Sequence, residues 1–197
     1  MTQKMRIEIR ADSVLVEGYV NAVGRDSRPL LSSDGSRFVE QIVPGAFARA
    51  LSKRDVDILL NHDETKKLGS TQSNLTLIED SIGLKARAII KDSTVIEKAR
   101  AKKLTGWSFG FYDINTRTED INEGLKRRFV EDLELVEVSI IDDTLVPAYQ
   151  GTSIETRADN KGLIKANVLL TRADYCESDT PLDYSNYKER IAKLERV

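Results

Sequence analysis

The 197-residue chain carries one histidine, His62, so any imidazole base must be this residue. A zinc site built on two or three imidazoles is excluded. One serine has an unusual setting. Leu104-Thr105-Gly106-Trp107-Ser108-Phe109-Gly110-Phe111 packs three aromatics, two glycines and Ser108 into eight residues. Read as a strand, the period of two sets Trp107, Phe109 and Phe111 on one face and Ser108 and Gly110 on the other. The aromatic face would anchor the strand in a core. The opposite face presents a hydroxyl beside a residue with no side chain, where a ligand backbone could approach. A carboxylate, Glu137, interrupts the longest apolar run, Leu133 to Ile141.

Each of these residues has two readings. His62, between Asn61 and Asp63 at the polar end of an apolar stretch, is either a strand-end histidine or a general base for a serine proton. Ser108 is either a structural serine or a nucleophile that the glycines leave accessible. Glu137 either faces solvent or is a buried carboxylate, which needs a partner and would orient an imidazole. Alternation puts Val136, Val138 and Ile140 on one face and Leu135, Glu137 and Ser139 on the other, so Ser139 could act beside Glu137. Asp63 adjoins His62, but neighbours in a strand point to opposite faces. For the same reason His62, Asp63 and Glu64 do not converge on one metal ion. No glycine-rich strand-to-helix loop of the phosphate-binding kind occurs. No cofactor and no metal are expected.

The elements that would position these groups are mostly short strands. Arg6 to Arg10, Val14 to Val20, Phe38 to Val43 and Val56 to Asp63 read as strands, and Asn74 to Glu79 with Leu84 to Ile90 as a hairpin. Pro44 suits the first turn of a short helix burying Phe47, Ala50 and Leu51. Thr94 and Glu97 have capping-box spacing for a helix that runs to about Lys103. Asn115 to Gly124 is polar and reads as a surface turn before a strand at Arg127 to Val130. The expected class is mainly β with some α, an antiparallel β-barrel surrounded by a few helices. After Thr152 the character changes. A barrel domain is expected over 1–154 and a charged linker and helical tail over 155–197, with Tyr187, Ile191 and Leu194 at helical spacing.

Composition sets broad limits. A net charge of -2 gives no reason to expect nucleic-acid binding. The single cysteine, Cys176, excludes an internal disulfide and favours a reducing compartment. No segment reaches the apolar length of a membrane helix, and the N-terminus leads into alternating charge, so a cytosolic protein is expected.

Taken in order, these stretches resemble the prohead proteases of tailed bacteriophages, the maturation proteases related to the herpesvirus assemblins. The matching landmarks are Phe38 to Phe47, Leu60-Asn61-His62-Asp63, Leu68-Gly69-Ser70-Thr71, Glu79-Asp80 to Gly83-Leu84, Gly106 to Phe111, Leu135 to Ile140 and Pro147-Ala148-Tyr149. They span roughly residues 15 to 152, and their order is what makes the resemblance specific. It implies a serine endopeptidase on an assemblin-like barrel, with His62 as the catalytic histidine and Ser108 as the nucleophile. Assemblins use a second histidine, which this chain lacks. Glu137 is taken as the third member, with Ser139 and Asp63 as alternatives, and the Gly110–Phe111 region as a candidate for substrate and oxyanion contacts. The resemblance also implies a setting inside the prohead in the host cytoplasm, and a homo-oligomer is expected. The implied partners are phage scaffold or the scaffolding arm of the major capsid protein, and often the protease itself. The rival expectation is a catalytically inactive protease-like assembly protein.

Overall fold

A computed structural model describes residues 4–32, 34–122, 124–145, 156–157, 163–165, 169–170 and 172–177. The expected C-terminal helix with Tyr187, Ile191 and Leu194, and the Pro147-Ala148-Tyr149 stretch, lie outside the described residues. In chain order the elements are β1 (Lys4–Ile9), β2 (Val14–Ala22), β3 (Leu30–Ser32), β4 (Arg37–Ile42), α1 (Ala46–Leu51), β5 (Asp57–Leu60), β6 (Asp63–Ser70), β7 (Leu75–Glu79) and β8 (Gly83–Ile90). There follow α2 (Ser93–Arg100), β9 (Leu104–Asn122), β10 (Leu125–Asp142), β11 (Thr156–Arg157), β12 (Ile164–Lys165), β13 (Leu169–Leu170) and β14 (Arg172–Glu177).

Most of the described chain is strand, in two curled, half-barrel-like sheets. One runs β14-β1-β2-β8-β7 and the other β11-β3-β4-β10-β5-β6, with β9 on the opposite edge of β10. The hairpins pair antiparallel, while β4 and β5 both pair parallel with β10. The strand β10 is therefore central. Its first part takes β4 and its last part takes β5 on one edge, and β9 runs along the other.

The core lies between the sheets and collects Val14, Val16, Ile58, Leu84, Leu133 and Ile140 with the aromatic face of β9. Trp107, Phe109 and Phe111 are all buried. The Phe109 ring meets Phe47 edge-on and stacks on Phe111, each with centroids 5.3 Å apart. The helix α1 buries Ala46, Phe47 and Ala50, while Leu51 is only partly covered.

Three local expectations are corrected. The first concerns α2, which is capped by Asp92, whose carboxylate accepts from the Val95 amide at 3.0 Å. Thr94 therefore lies inside the helix and not at its cap. Second, Asn115 to Asn122 is no turn but the outer half of β9. That half has no apolar alternation to reveal it, because it is an exposed ribbon held by cross-strand charge pairs such as Arg117–Glu131 and Arg127–Glu119. Third, the alternation of β10 breaks at Val136. Phe111 pairs with Leu135 and Gly110 with Glu137, so Val136 is an extra residue. This bulge sends Leu135 into the core with Val138 and Ile140, and leaves Glu137 and Ser139 on the opposite face.

Candidate active site

Leu60 pairs with Asp63, so Asn61 and His62 form a two-residue loop between β5 and β6. Both have left-handed backbones, with φ of 57° and 58°. Such a loop needs positive φ at both central residues, and asparagine tolerates it well. For histidine the conformation is less common, and the surroundings hold it there. The Asn61 amide donates to the Ile140 carbonyl at 2.9 Å and the His62 amide to Ser139 Oγ at 3.0 Å. The Asn61 side-chain oxygen accepts from the Asp142 amide at 3.0 Å. One strand, β10, thus grips the turn through Ser139, Ile140 and Asp142.

The result is a chain of side-chain contacts. Ser108 pairs across the ladder with Ser139, and Gly110 with Glu137. His62 lies over this patch, with Nε2 2.8 Å from Ser108 Oγ and Nδ1 2.7 Å from Glu137 Oε1. A carboxylate only accepts, so the Nδ1–H donates to Glu137, and Nε2 is left to accept from the serine hydroxyl. The Ser139 hydroxyl donates to Glu137 Oε2 at 2.6 Å while accepting from the His62 amide. Both carboxylate oxygens are engaged. The His62 and Glu137 side chains are 8% and 4% exposed, so these bonds are made away from bulk water, where a charge left unpaired would be costly.

Gly110 lies against the Glu137 carboxylate. A Cβ placed there would lie 2.5 Å from Glu137 Oε1 and 3.2 Å from its Cδ. The missing side chain makes room for the carboxylate. The Phe111 ring points into the core. Asp63 directs its carboxylate to Thr65, accepting from the amide at 2.9 Å and the hydroxyl at 2.6 Å. Of the sequence-predicted residues, Ser108, His62, Glu137 and Ser139 come together.

Sequence reasoning missed Asn61 and Asp142. The Asp142 side chain is 1% exposed, and its carboxylate pairs with Lys98 Nζ at 2.8 Å and accepts from the Thr144 amide at 2.8 Å. Burial opposes its ionisation, but Lys98, Thr144 and Asn61 outweigh it and hold the carboxyl well below the usual range. The available signal was an Asn-His pair between an apolar strand and a polar one, which fits a tight hairpin. Beside His62 and Glu137 opens a pocket of about 190 Å³ walled by Leu59, Val136 and Leu163, with Arg54 and Glu64 adding charge. It is smaller than the usual small-molecule cavity and suits a single side chain.

A sequence model of caudovirus prohead serine proteases matches residues 2–165, most of the chain. The chain belongs to that family. Membership puts it among the serine peptidases of phage capsid maturation, which work with capsid components in the prohead inside the host cell. The matched region contains Ser108, His62 and Glu137. No curated protein and no solved structure matches the chain. Among the described residues no helix is long and apolar enough to cross a membrane.

Proposed function

We propose that this prohead protease family member is an active serine endopeptidase in which Ser108 is the nucleophile, His62 the base and Glu137 the residue that orients the imidazole. The reading rests on one observation, the continuous series Ser108 Oγ–His62 Nε2 and His62 Nδ1–Glu137 Oε1 at 2.8 and 2.7 Å. His62 Nε2 takes the hydroxyl proton as Ser108 Oγ attacks the scissile carbonyl, and the imidazolium then forms against Glu137. The same proton passes to the leaving amine as the tetrahedral intermediate collapses to the acyl-enzyme. Water, deprotonated by His62, then hydrolyses the ester and frees Ser108. Ser139 steadies the carboxylate and the His62 backbone together, so it is a positioning residue and not the third member.

The family supplies the setting of this chemistry. Within it, the proposed substrates are phage scaffold, the scaffolding arm of the major capsid protein, and the protease itself, acting as a homo-oligomer. Co-expression with the phage capsid protein, followed by mass spectrometry of the products, tests the reading. Ser108→Ala should abolish cleavage, a loss of about 10⁴-fold or more. Cleavage that survives this substitution refutes the assignment. A wild-type protein that neither cleaves nor reacts with a serine-directed acylating probe would instead be an inactive assembly protein built on the same fold.

A further inference from the structure

The strand that carries Ser108 has two edges. One is paired with β10 along its length. The other pairs with the chain's own C-terminal segment at Gly106, Trp107, Gly110 and Phe111. Ile164 pairs with Phe111 and Lys165 with Gly110; Leu169 pairs with Trp107 and Leu170 with Gly106. Ser108 lies between the two pairs. Paired strands lie about 4.8 Å apart, so a chain laid on this edge runs directly alongside the serine. An open strand edge is also where an extended peptide adds by backbone hydrogen bonds, with alternate side chains entering pockets. The segment begins at such a pocket, since Leu163 walls the cavity beside His62 and Glu137.

Burial supplies an independent argument. Ser108 is 0% exposed. A nucleophile must come within roughly 3–3.5 Å of a substrate carbonyl, so a covered serine requires something to leave first. Beyond the segment the chain is tied down again. The strand β14 pairs parallel with β1, and Tyr175 donates to the Leu104 carbonyl at 2.7 Å. A tethered segment competes at an effective concentration of the order of millimolar.

We propose that residues 163–165 and 169–170 occupy, in cis, the edge of β9 on which an extended peptide substrate docks, so that the enzyme carries its own competitive blocker. This rests on the proteolytic reading for its consequence, but the occupancy itself can be tested without catalysis. The occupant is a segment of this chain. The substrate that replaces it is an unfolded polypeptide able to add as an antiparallel strand.

The test uses the full chain with Ile164→Pro and Leu169→Pro together, which removes two backbone donors and disfavours strand pairing. The probe is a synthetic peptide of residues 160–173, and its affinity is measured by fluorescence anisotropy. The variant should bind it about tenfold or more tightly than wild type, since the tethered competitor is gone. Equal affinity, or no binding to either, overturns the proposal. If the variant does not fold, hydrogen exchange on wild type decides. Excess peptide should deprotect the amides of 164, 165, 169 and 170 while those of 106–111 stay protected, and unchanged exchange at those four overturns the proposal. A serine-directed fluorophosphonate separates the two readings. Peptide binding as expected with no labelling of Ser108 in the double-proline variant refutes the catalytic reading and leaves the occupancy standing.

Discussion

The strands β9 and β10 form one long hairpin with two unlike halves. In the inner half one face is sealed by Trp107, Phe109 and Phe111, and the other holds Ser108, Gly110, Glu137 and Ser139. The outer half is an exposed ribbon. There Arg117 pairs with Glu119 and Glu131 and covers the Phe129 ring at 4.1 Å, and Arg128 pairs with Asp113 and Glu40. Both halves carry polar side chains on a continuous ladder. The difference is water. Around Arg117, Glu119 and Glu131 solvent already solvates the charges, so an ion pair adds little, while Glu40 on β4 is buried against Arg128. At the inner end solvent is excluded, and the polar side chains of the hydroxyl face bond one another in one geometry. The contrast teaches that charge pairs along a strand acquire chemical meaning from burial, not from their number.

Substitutions can break this comparison at either end. The largest effect is expected at Glu137. Glu137→Gln should lower kcat by about 10⁴, the size seen when a triad carboxylate becomes an amide. Ser139→Ala removes one bond to that carboxylate and should cost only about 10- to 100-fold. If the alanine variant is inactive and the glutamine variant is not, the roles are reversed. Next comes Gly110→Ala. Its methyl collides with Glu137 Oε1. It should lower kcat about 100-fold through misplacement of the carboxylate and destabilise the fold by about 1–3 kcal/mol, measured by kinetics and denaturant unfolding.

Asp142 tests the support of the turn. Its carboxyl is held below the usual range, so the native state binds fewer protons there than the unfolded chain. The stability it contributes is complete above the unfolded value near pH 4 and is lost as pH falls from there toward the native value. Asp142→Asn should cost about 2 kcal/mol at pH 7, less than a fully buried pair would because Lys98 is partly exposed. The stabilities of variant and wild type should draw together progressively as pH falls below 4. The smallest effect is expected at the outer end. Arg117→Ala should shift the melting temperature by about 2 °C or less and leave cleavage within about twofold of wild type. A large loss of activity there would mean that the ribbon serves the site.

Much of this was legible in the residues. The period of two in Trp107-Ser108-Phe109-Gly110-Phe111 separates the core face from the hydroxyl face, and both are observed as read. A single histidine leaves no other imidazole to consider. Short alternating strands with turn residues between them indicated a mainly β fold. The outer half of the hairpin was not legible, because a strand exposed on both faces has no hydrophobic period. The N-cap of α2 was misread because Asp92 and Thr94 are both capping types, and only the backbone selects between them.

The sequence by itself determined the chemical inventory and the two faces of the strand that carries Ser108, since these depend on side-chain type and local periodicity. It could not determine which side chains meet. That Glu137 and not Asp63 reaches His62 depends on an extra residue at Val136, on a left-handed turn at Asn61 and His62, and on β5 lying beside β10. The contact joins residues 75 apart in the chain, and such contacts are set by how the sheets close, not by local propensity. Gly110 marks the boundary. Its lack of a side chain is visible in the sequence, but that the vacant space belongs to the Glu137 carboxylate was decided by the ladder that pairs them.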